Sequence, residues 1–520
     1  MANSKHGILD TIERLGNRMP APASLFAGAL LAVMLVSELA VRLDWSVSKQ
    51  VMVNGQLQRV QVQAISLLSS EGLYWLISNV VDNFGRFPAL GVTLVAMLGI
   101  GVAERTGFLA AFLKVTLFRT PQPLLVPATI FVGVMSSLAI DAGFVVLPPI
   151  AAYLFHRAGR PAVVGVAAVY AGVAGGFGAN LFITGIDPML ASLTQDGART
   201  IVPGYQVAVT CNWWFAIAST ILLTVTGWLV SHFWIEPAYR TQASGDDGEH
   251  DAGAAQSLTR REKKALAVAA IVFALLVAAV WILTVVPGSP LYGKQPVPEG
   301  ADPSRAFDRW VVAIVPLLLV VFLVTGVVYG VVNGTVRGDK DVDKMMSDTM
   351  ASLGSIIVLI FFAAQFIVAF NHSRLGELMA VSAGQFLAEQ AMSPYLLLVA
   401  FILMVVVSDL MVGSMSAKYA LFAPIFIPIF MQGASISPEL VQAAYRVGDS
   451  VTNTITPLNP FLAVVLVYIR QHVPRAGLGT VIAVMLPYTL AFLVVWTAML
   501  LAWMWLGADL GPGGPVFYSP

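Results

Sequence analysis

The chain has 520 residues, 58% of them hydrophobic and only 11% charged, with a formal net charge of zero. A soluble domain is about 45–50% apolar and about 25% charged, so the apolar excess must face lipid rather than fill a core. The neutral balance excludes a basic nucleic-acid face, and the single cysteine, Cys211, excludes an intramolecular disulfide and a cysteine metal cluster.

About 20 apolar residues span a bilayer, and runs of that kind recur along the chain. The polar start MANSKHGILDTIERLGNRMP precedes an apolar run at 21–43 with no cleavage signature, which reads as a retained first span. Residues 44–70 contain VMVNGQLQRVQVQ, where Asn54-Gly55 between alternating apolar residues predicts a β-hairpin. A second span covers 72–103, amphipathic at first and fully apolar after Pro88. An apolar region at 124–196 follows, interrupted by polar and Gly/Pro clusters. Clean runs lie at 208–233, 264–286, 309–333 and 347–371, with a polar linker at 236–263. A second interrupted region covers 393–470, and a last run covers 478–506.

The interrupted regions match. The first reads MSSLAIDAGFVVLPPI, a helix, then AGGFGANLFITGIDP; the second reads SDLMVGSMSAKYALFAPIFIP, a helix, then RVGDSVTNTITPLNP. Each has a Ser/Asp cluster between apolar arms, then a helix broken by Gly, Asn and Thr. With the N-terminus cytoplasmic and each cluster read as a re-entrant hairpin tip, the chain crosses nine times. About twice as many Lys and Arg then lie inside as outside, as the positive-inside rule requires. The halves begin on opposite sides, so this is an inverted repeat whose broken segments mark the binding site. Unpaired backbone is not tolerated against lipid, so these breaks must line a cavity or be buried in protein.

Ionisable residues at membrane depth are functional hypotheses. Asp141, Asp187, Asp409, Lys418, Arg446 and Asp449 all fall in the interrupted regions. Arg446 and Asp449, three apart, share a helix face and are expected to pair, either as a structural bridge or as an anion-binding Arg with its balancing charge. Asp187 reads as a helix cap or an ion-coupling carboxylate. Asp141 and Asp409 read as tip residues with either role. Lys418 either snorkels or serves the site. Tyr419 either packs or stacks on an aromatic ligand. Oxygen groups around Ser137, Asn180, Asp187, Asn453 and Thr456 suit a hard cation, with Na⁺ expected at Ser137, Asn180, Asn453 and Thr456. Alternatively Asp187 or Asp449 carries a proton. No other cofactor is expected.

Enzyme chemistry has no support: HExxH, GxGD and GxSxG are absent, and the six histidines lie near span ends or in loops. A passive channel is a further possibility. A Na⁺-coupled di- or tricarboxylate carrier would account for the repeat but not for the AYRVGDSVTN stretch.

That stretch, within AAYRVGDSVTNTITPLNPF, together with GSMSAKYALFAPIFIP and ANLFITGIDPMLAS, resembles the AbgT family, and the likeness extends to ERLGNRMP before the first span. The resemblance implies an all-α polytopic membrane protein with nine transmembrane helices plus two re-entrant hairpins, forming a homodimer in the bacterial inner membrane. It implies import of p-aminobenzoyl-glutamate or export of sulfonamide-type antimetabolites. The family's functional positions fall on Asp187, Ser416, Tyr419, Arg446, Asp449 and Pro457, with Tyr419 standing where the family is expected to have Trp. Asn180 and Asn453 complete the expected substrate site. The hairpin-plus-broken-helix plan is also similar to that of elevator-type dicarboxylate transporters.

Overall fold

The computed structural model describes residues 21–53, 56–139, 142–239, 258–296, 306–390, 392–459 and 461–519. The Asn54-Gly55 turn, Asp141 and most of the 236–263 linker lie outside these residues.

Helix α1 (Pro22–Arg42) starts with proline at its first position, where no N–H is missed. The antiparallel strands β1 (Ser46–Val53) and β2 (Gln56–Gln63) pair in register from Ser46↔Gln63 to Val53↔Gln56, as the hairpin reading expects. The second span is divided. Helix α2 (Ser70–Gly85) is capped by the Ser69 side chain, which accepts from Gly72 N–H, and α3 (Pro88–Arg105) restarts at Pro88. Proline cannot donate to the preceding turn, so the chain breaks there. Helix α4 (Phe108–Phe118), apolar but short, has no counterpart in the sequence reading.

The first interrupted region holds α5 (Leu125–Met135), a tight turn at Ser136–Leu138, a wide helical turn at Ala142–Val146 and α6 (Leu147–Arg157). With the tight turns at its ends, α5 forms the helical stretch Gln122–Leu138, bent by 120° from α4, the geometry of a broken span or a re-entrant loop. Helix α7 (Ala162–Tyr170) unwinds through Ala171–Gly175, and α8 (Ile186–Arg199) follows the break. Helix α9 (Trp213–Val230) continues to Tyr239.

Helix α10 (Arg260–Val285) opens with a capping box formed by Thr259 and Glu262. Its Ile271, Leu275 and Trp281 are more than 60% exposed, an arrangement that suits lipid and not water. Helix α11 (Ile314–Asn333) ends at Gly334 in the left-handed conformation. Helices α12 (Asp339–Ser352), α13 (Gly354–His372) and α14 (Leu375–Glu389) follow. The last of these is a further element that the hydropathy pattern did not separate.

The second interrupted region has a similar order of elements. Helix α15 (Pro394–Asp409) leads to a break, and α16 (Met415–Ala434) leads back, capped by Ser414. Helix α17 (Pro438–Thr452) is capped by Ser437, and α18 (Phe461–His472) follows a break. Helix α19 (Leu478–Leu506) ends at Gly507, after which the tail folds back and buries Leu510 and Val516. Ser437 fastens that tail, its N–H donating to the Val516 carbonyl and its hydroxyl to the Pro515 carbonyl.

Among the described residues, eight helices are long and apolar enough to cross a membrane. Seven correspond to expected spans. The eighth is α16, which the sequence reading assigned to a hairpin arm. The expected crossings at 162–196 and 438–470 are each two short helices around a break. Helices α3, α10 and α11 pack as one layer, and α1 packs on α13. Helix α17 packs on α15 and α19, inside the molecule.

Candidate transport site

Helix α17 is the centre of the site. Each of its 15 residues is buried, yet Glu439, Gln442, Arg446, Asp449 and Asn453 follow one another at helical spacing along one face. A polar stripe on a helix withdrawn from lipid must look into a polar interior. The two broken helices cross there. The Gly178 N–H donates to Ser450 Oγ at 2.8 Å. A Cβ at Gly178 would lie 2.6 Å from that oxygen and 3.1 Å from Arg446 Cβ, so the approach requires glycine.

Arg446 does not pair with Asp449. Its Nη2 donates to Asp187 Oδ1 at 2.6 Å, a bond between the two interrupted regions, with the side chains 4% and 13% exposed. The helical spacing expected to join Arg446 to Asp449 is overridden because α8 brings a second carboxylate to the guanidinium. Asp187 has a local role as well: its Oδ2 accepts from the Thr184 N–H at 2.6 Å and the Thr184 hydroxyl at 2.8 Å. Those bonds hold the turn before α8 and fix the carboxylate facing Arg446. The Arg446 Nε is buried without a hydrogen-bond partner. A narrow cleft opens beside this pair, with Asn180, Thr184, Phe182 and Trp213 on its wall.

Asp449 pairs with Lys418 instead. The Lys418 Nζ lies 2.8 Å from Asp449 Oδ1 and also contacts Asp409 Oδ1. All three side chains are at most 1% exposed. Lys418 therefore does not snorkel, and Asp409 serves an ion cluster rather than a helix cap. The Tyr445 hydroxyl contacts Asp449 Oδ1 at 3.1 Å and the Met415 carbonyl at 2.6 Å.

Tyr419 is fully buried. Its ring lies 4.4 Å from that of Tyr445, and its hydroxyl is 2.6 Å from the Thr194 hydroxyl. In this conformation it packs inside the protein and offers no face to a ligand. Thr194 also donates to Gln442 Oε1, which the Cys211 thiol approaches at 3.8 Å.

The remaining expected residues fall in two places. Asn180 Nδ2 donates to Ser137 Oγ at 2.7 Å, and Asn180 Oδ1 accepts from the Phe182 N–H, closing the first break. In the second break Asn453 Nδ2 reaches Asp449 Oδ2 at 3.5 Å, and the Thr456 hydroxyl donates to the Asp409 carbonyl. Asn459 Oδ1 accepts from the Phe461 N–H, the same turn that Asn180 makes. Pro457 is half-buried beside it, and Ser416 Oγ stands 3.4 Å from Ser414 Oγ at the second tip.

Thr184, Trp213, Glu439 and Gln442 escaped the sequence reading. Glu439 is 1% exposed, and both its oxygens lie within 3.2 Å of the Tyr205 hydroxyl. Following Ser437-Pro438 it reads as a surface helix start; the polar periodicity running on to Asn453 was the signal that could have found it.

Lipid-length helices around a buried, charged and broken-helix core define a multi-pass membrane transporter. The family model described as the "AbgT putative transporter family" matches residues 7–518, and the chain belongs to that family. It is 33% identical over 502 residues to the Escherichia coli K12 p-aminobenzoyl-glutamate transport protein, covering 96% of this chain and 95% of that protein. The crystal structure of the Alcanivorax borkumensis YdaH transporter is 38% identical with a TM-score of 0.86, covering 95% of this chain and all of that one. Neisseria gonorrhoeae MtrF, described as illuminating a class of antimetabolite efflux pumps, is 35% identical with a TM-score of 0.87, covering 98% and 100%. These relatives are transporters and not enzymes.

Proposed function

We propose that this protein is a secondary active transporter of aromatic carboxylates of the p-aminobenzoyl-glutamate type, an exporter of sulfonamide-type antimetabolites, or both, driven by an H⁺ or Na⁺ gradient across a bacterial inner membrane. The observation that carries this reading is Arg446: a buried guanidinium with an unpartnered Nε, held against Asp187 beside a cleft with aromatic walls. Arg keeps its charge at any working pH and offers a planar fork to a carboxylate. Asp187 supplies the counter-charge while the site is empty, which a buried cation requires. An entering carboxylate takes the open donors, and its ring lies toward Trp213 and Phe182.

In this reading the two helix–break–helix units are re-entrant hairpins of an inverted repeat and move together as an elevator. The uninterrupted spans form the scaffold of a homodimer. Mass measurement in mild detergent tests the dimer; monomer alone would remove it.

The decisive experiment is flux in proteoliposomes with p-aminobenzoyl-glutamate and a sulfonamide, under H⁺ and Na⁺ gradients imposed separately. Movement of either substrate driven by one gradient is expected. Movement indifferent to both gradients defeats the coupling, and uptake of succinate in place of both substrates transfers the protein to the dicarboxylate class.

A further inference from the structure

The Asp409–Lys418–Asp449 cluster is apart from the Arg446–Asp187 pair and has a charge problem of its own. Two carboxylates share one ammonium, and none of the three side chains is more than 1% exposed. With both acids ionised the cluster carries one uncompensated negative charge at membrane depth. Such a charge is expensive, and two carboxylates at one site resist ionising together. One oxygen stands out. Asp409 Oδ1 takes the ammonium, whereas Asp409 Oδ2 is buried with no hydrogen-bond partner.

The groups around this carboxylate do not remove the charge. Helix α16 contributes Lys418, α17 contributes Asp449 and the neutral Tyr445 hydroxyl, and the second break contributes the uncharged Asn453 and Thr456. A mostly apolar groove between α1 and the second tip, with Ser408 and Met411 on its wall, ends at Lys418.

We infer that Asp409, Lys418 and Asp449 form a proton-binding site that takes up one proton at Asp409 Oδ2, and that this proton is the ion coupled to substrate. The inference rests on the transport reading above and deepens it. The proton comes from water and is returned to it on the other side; Lys418 keeps its three hydrogens throughout. Protonation leaves Asp449 and Lys418 as a neutral pair and Asp409 as an uncharged acid.

The sign of the coupling follows from the electrostatics. Asp449 lies three residues beyond Arg446, one turn along α17, so the clusters are neighbours. An anionic substrate at Arg446 adds negative charge next to a cluster that already carries it, and proton uptake relieves the repulsion. By reciprocity the proton then tightens substrate binding by the same factor. Carboxylate and proton travel in the same direction.

The test is proton uptake by purified protein in weakly buffered detergent solution, read with a pH indicator as p-aminobenzoyl-glutamate is added. Binding is followed in the same samples by tryptophan fluorescence. The wild-type protein is expected to take up about one proton per substrate bound, with an infrared difference band of a protonated carboxyl group. In Asp409→Asn the uptake and the band are lost, and accumulation against a gradient falls at least about tenfold, the equivalent of about 1.4 kcal/mol of coupling. Asp409→Glu keeps the uptake and shifts the band, which guards against a variant that fails to fold. Substrate binding without proton uptake overturns the inference and leaves the transport reading standing. So does uptake that persists unchanged in Asp409→Asn, or flux driven by Na⁺ alone. Absence of binding by the wild-type protein sinks both.

Discussion

The two interrupted regions, residues 125–199 and 394–472, share a plan and differ in charge. Both have two helices meeting at a tip, then a helix broken before an Asn-anchored turn: Asn180 bonds the Phe182 N–H and Asn459 the Phe461 N–H. At the described part of the first tip the contact is neutral, Ser137 accepting from Asn180. At the second tip it is ionic, Lys418 between Asp409 and Asp449. The regions are joined by Arg446 with Asp187 and by Gly178 with Ser450. One region therefore supplies mainly shape and a carboxylate, and the other supplies most of the charge.

The largest way to test that difference is to remove one contact from each tip in turn. Lys418→Met leaves two buried carboxylates with no cation, and loss of one member of a buried ion cluster costs about 3–5 kcal/mol. Ser137→Ala removes a neutral hydrogen bond, worth about 1 kcal/mol. Thermal unfolding in detergent should show a fall in Tm several times larger for the first variant; equal falls would show that the charge asymmetry has no energetic meaning.

Next is the junction's chemistry. Arg446→Lys replaces a planar fork with a point charge and should weaken p-aminobenzoyl-glutamate binding about ten- to hundredfold, corresponding to about 1.4–3 kcal/mol. Yield should remain normal because Asp187 keeps a cationic partner. Binding equal to that of the parent would place the substrate elsewhere.

The junction's shape gives a smaller effect. Gly178→Ala puts a methyl group 2.6 Å from Ser450 Oγ and should cost about 1–3 kcal/mol through overpacking. A shift of the same size from Gly204→Ala, whose surroundings are open, would show that the crossing is not tight.

The smallest effect concerns the aromatic position. Tyr419→Phe deletes the hydroxyl contact to Thr194 and should lower stability by about 1 kcal/mol, with substrate affinity within about twofold because the buried ring does not face the cleft. A tenfold loss of affinity in a normally folded variant would mean that Tyr419 reaches the ligand in another conformation of the transporter.

The sequence alone determined the solvent, the two interrupted regions and the inventory of charges. Apolar runs of lipid length, Asn-Gly between alternating residues, and Gly/Asn/Thr breaks in matching places are local signals. They act through hydrophobicity and backbone freedom, which neighbours in the chain already specify. The helices α4 and α14 were not legible because short apolar helices carry no periodic contrast in an apolar chain. The pairing of the charges was decided by tertiary structure. Helical spacing nominates Asp449 for Arg446, but spacing is only one source of proximity, and α8 and α16 bring Asp187 and Lys418 to the same helix. In a buried site each charge is satisfied by whichever opposite charge folding brings nearest, and residues 259 positions apart, Asp187 and Arg446, meet only when both breaks are packed together.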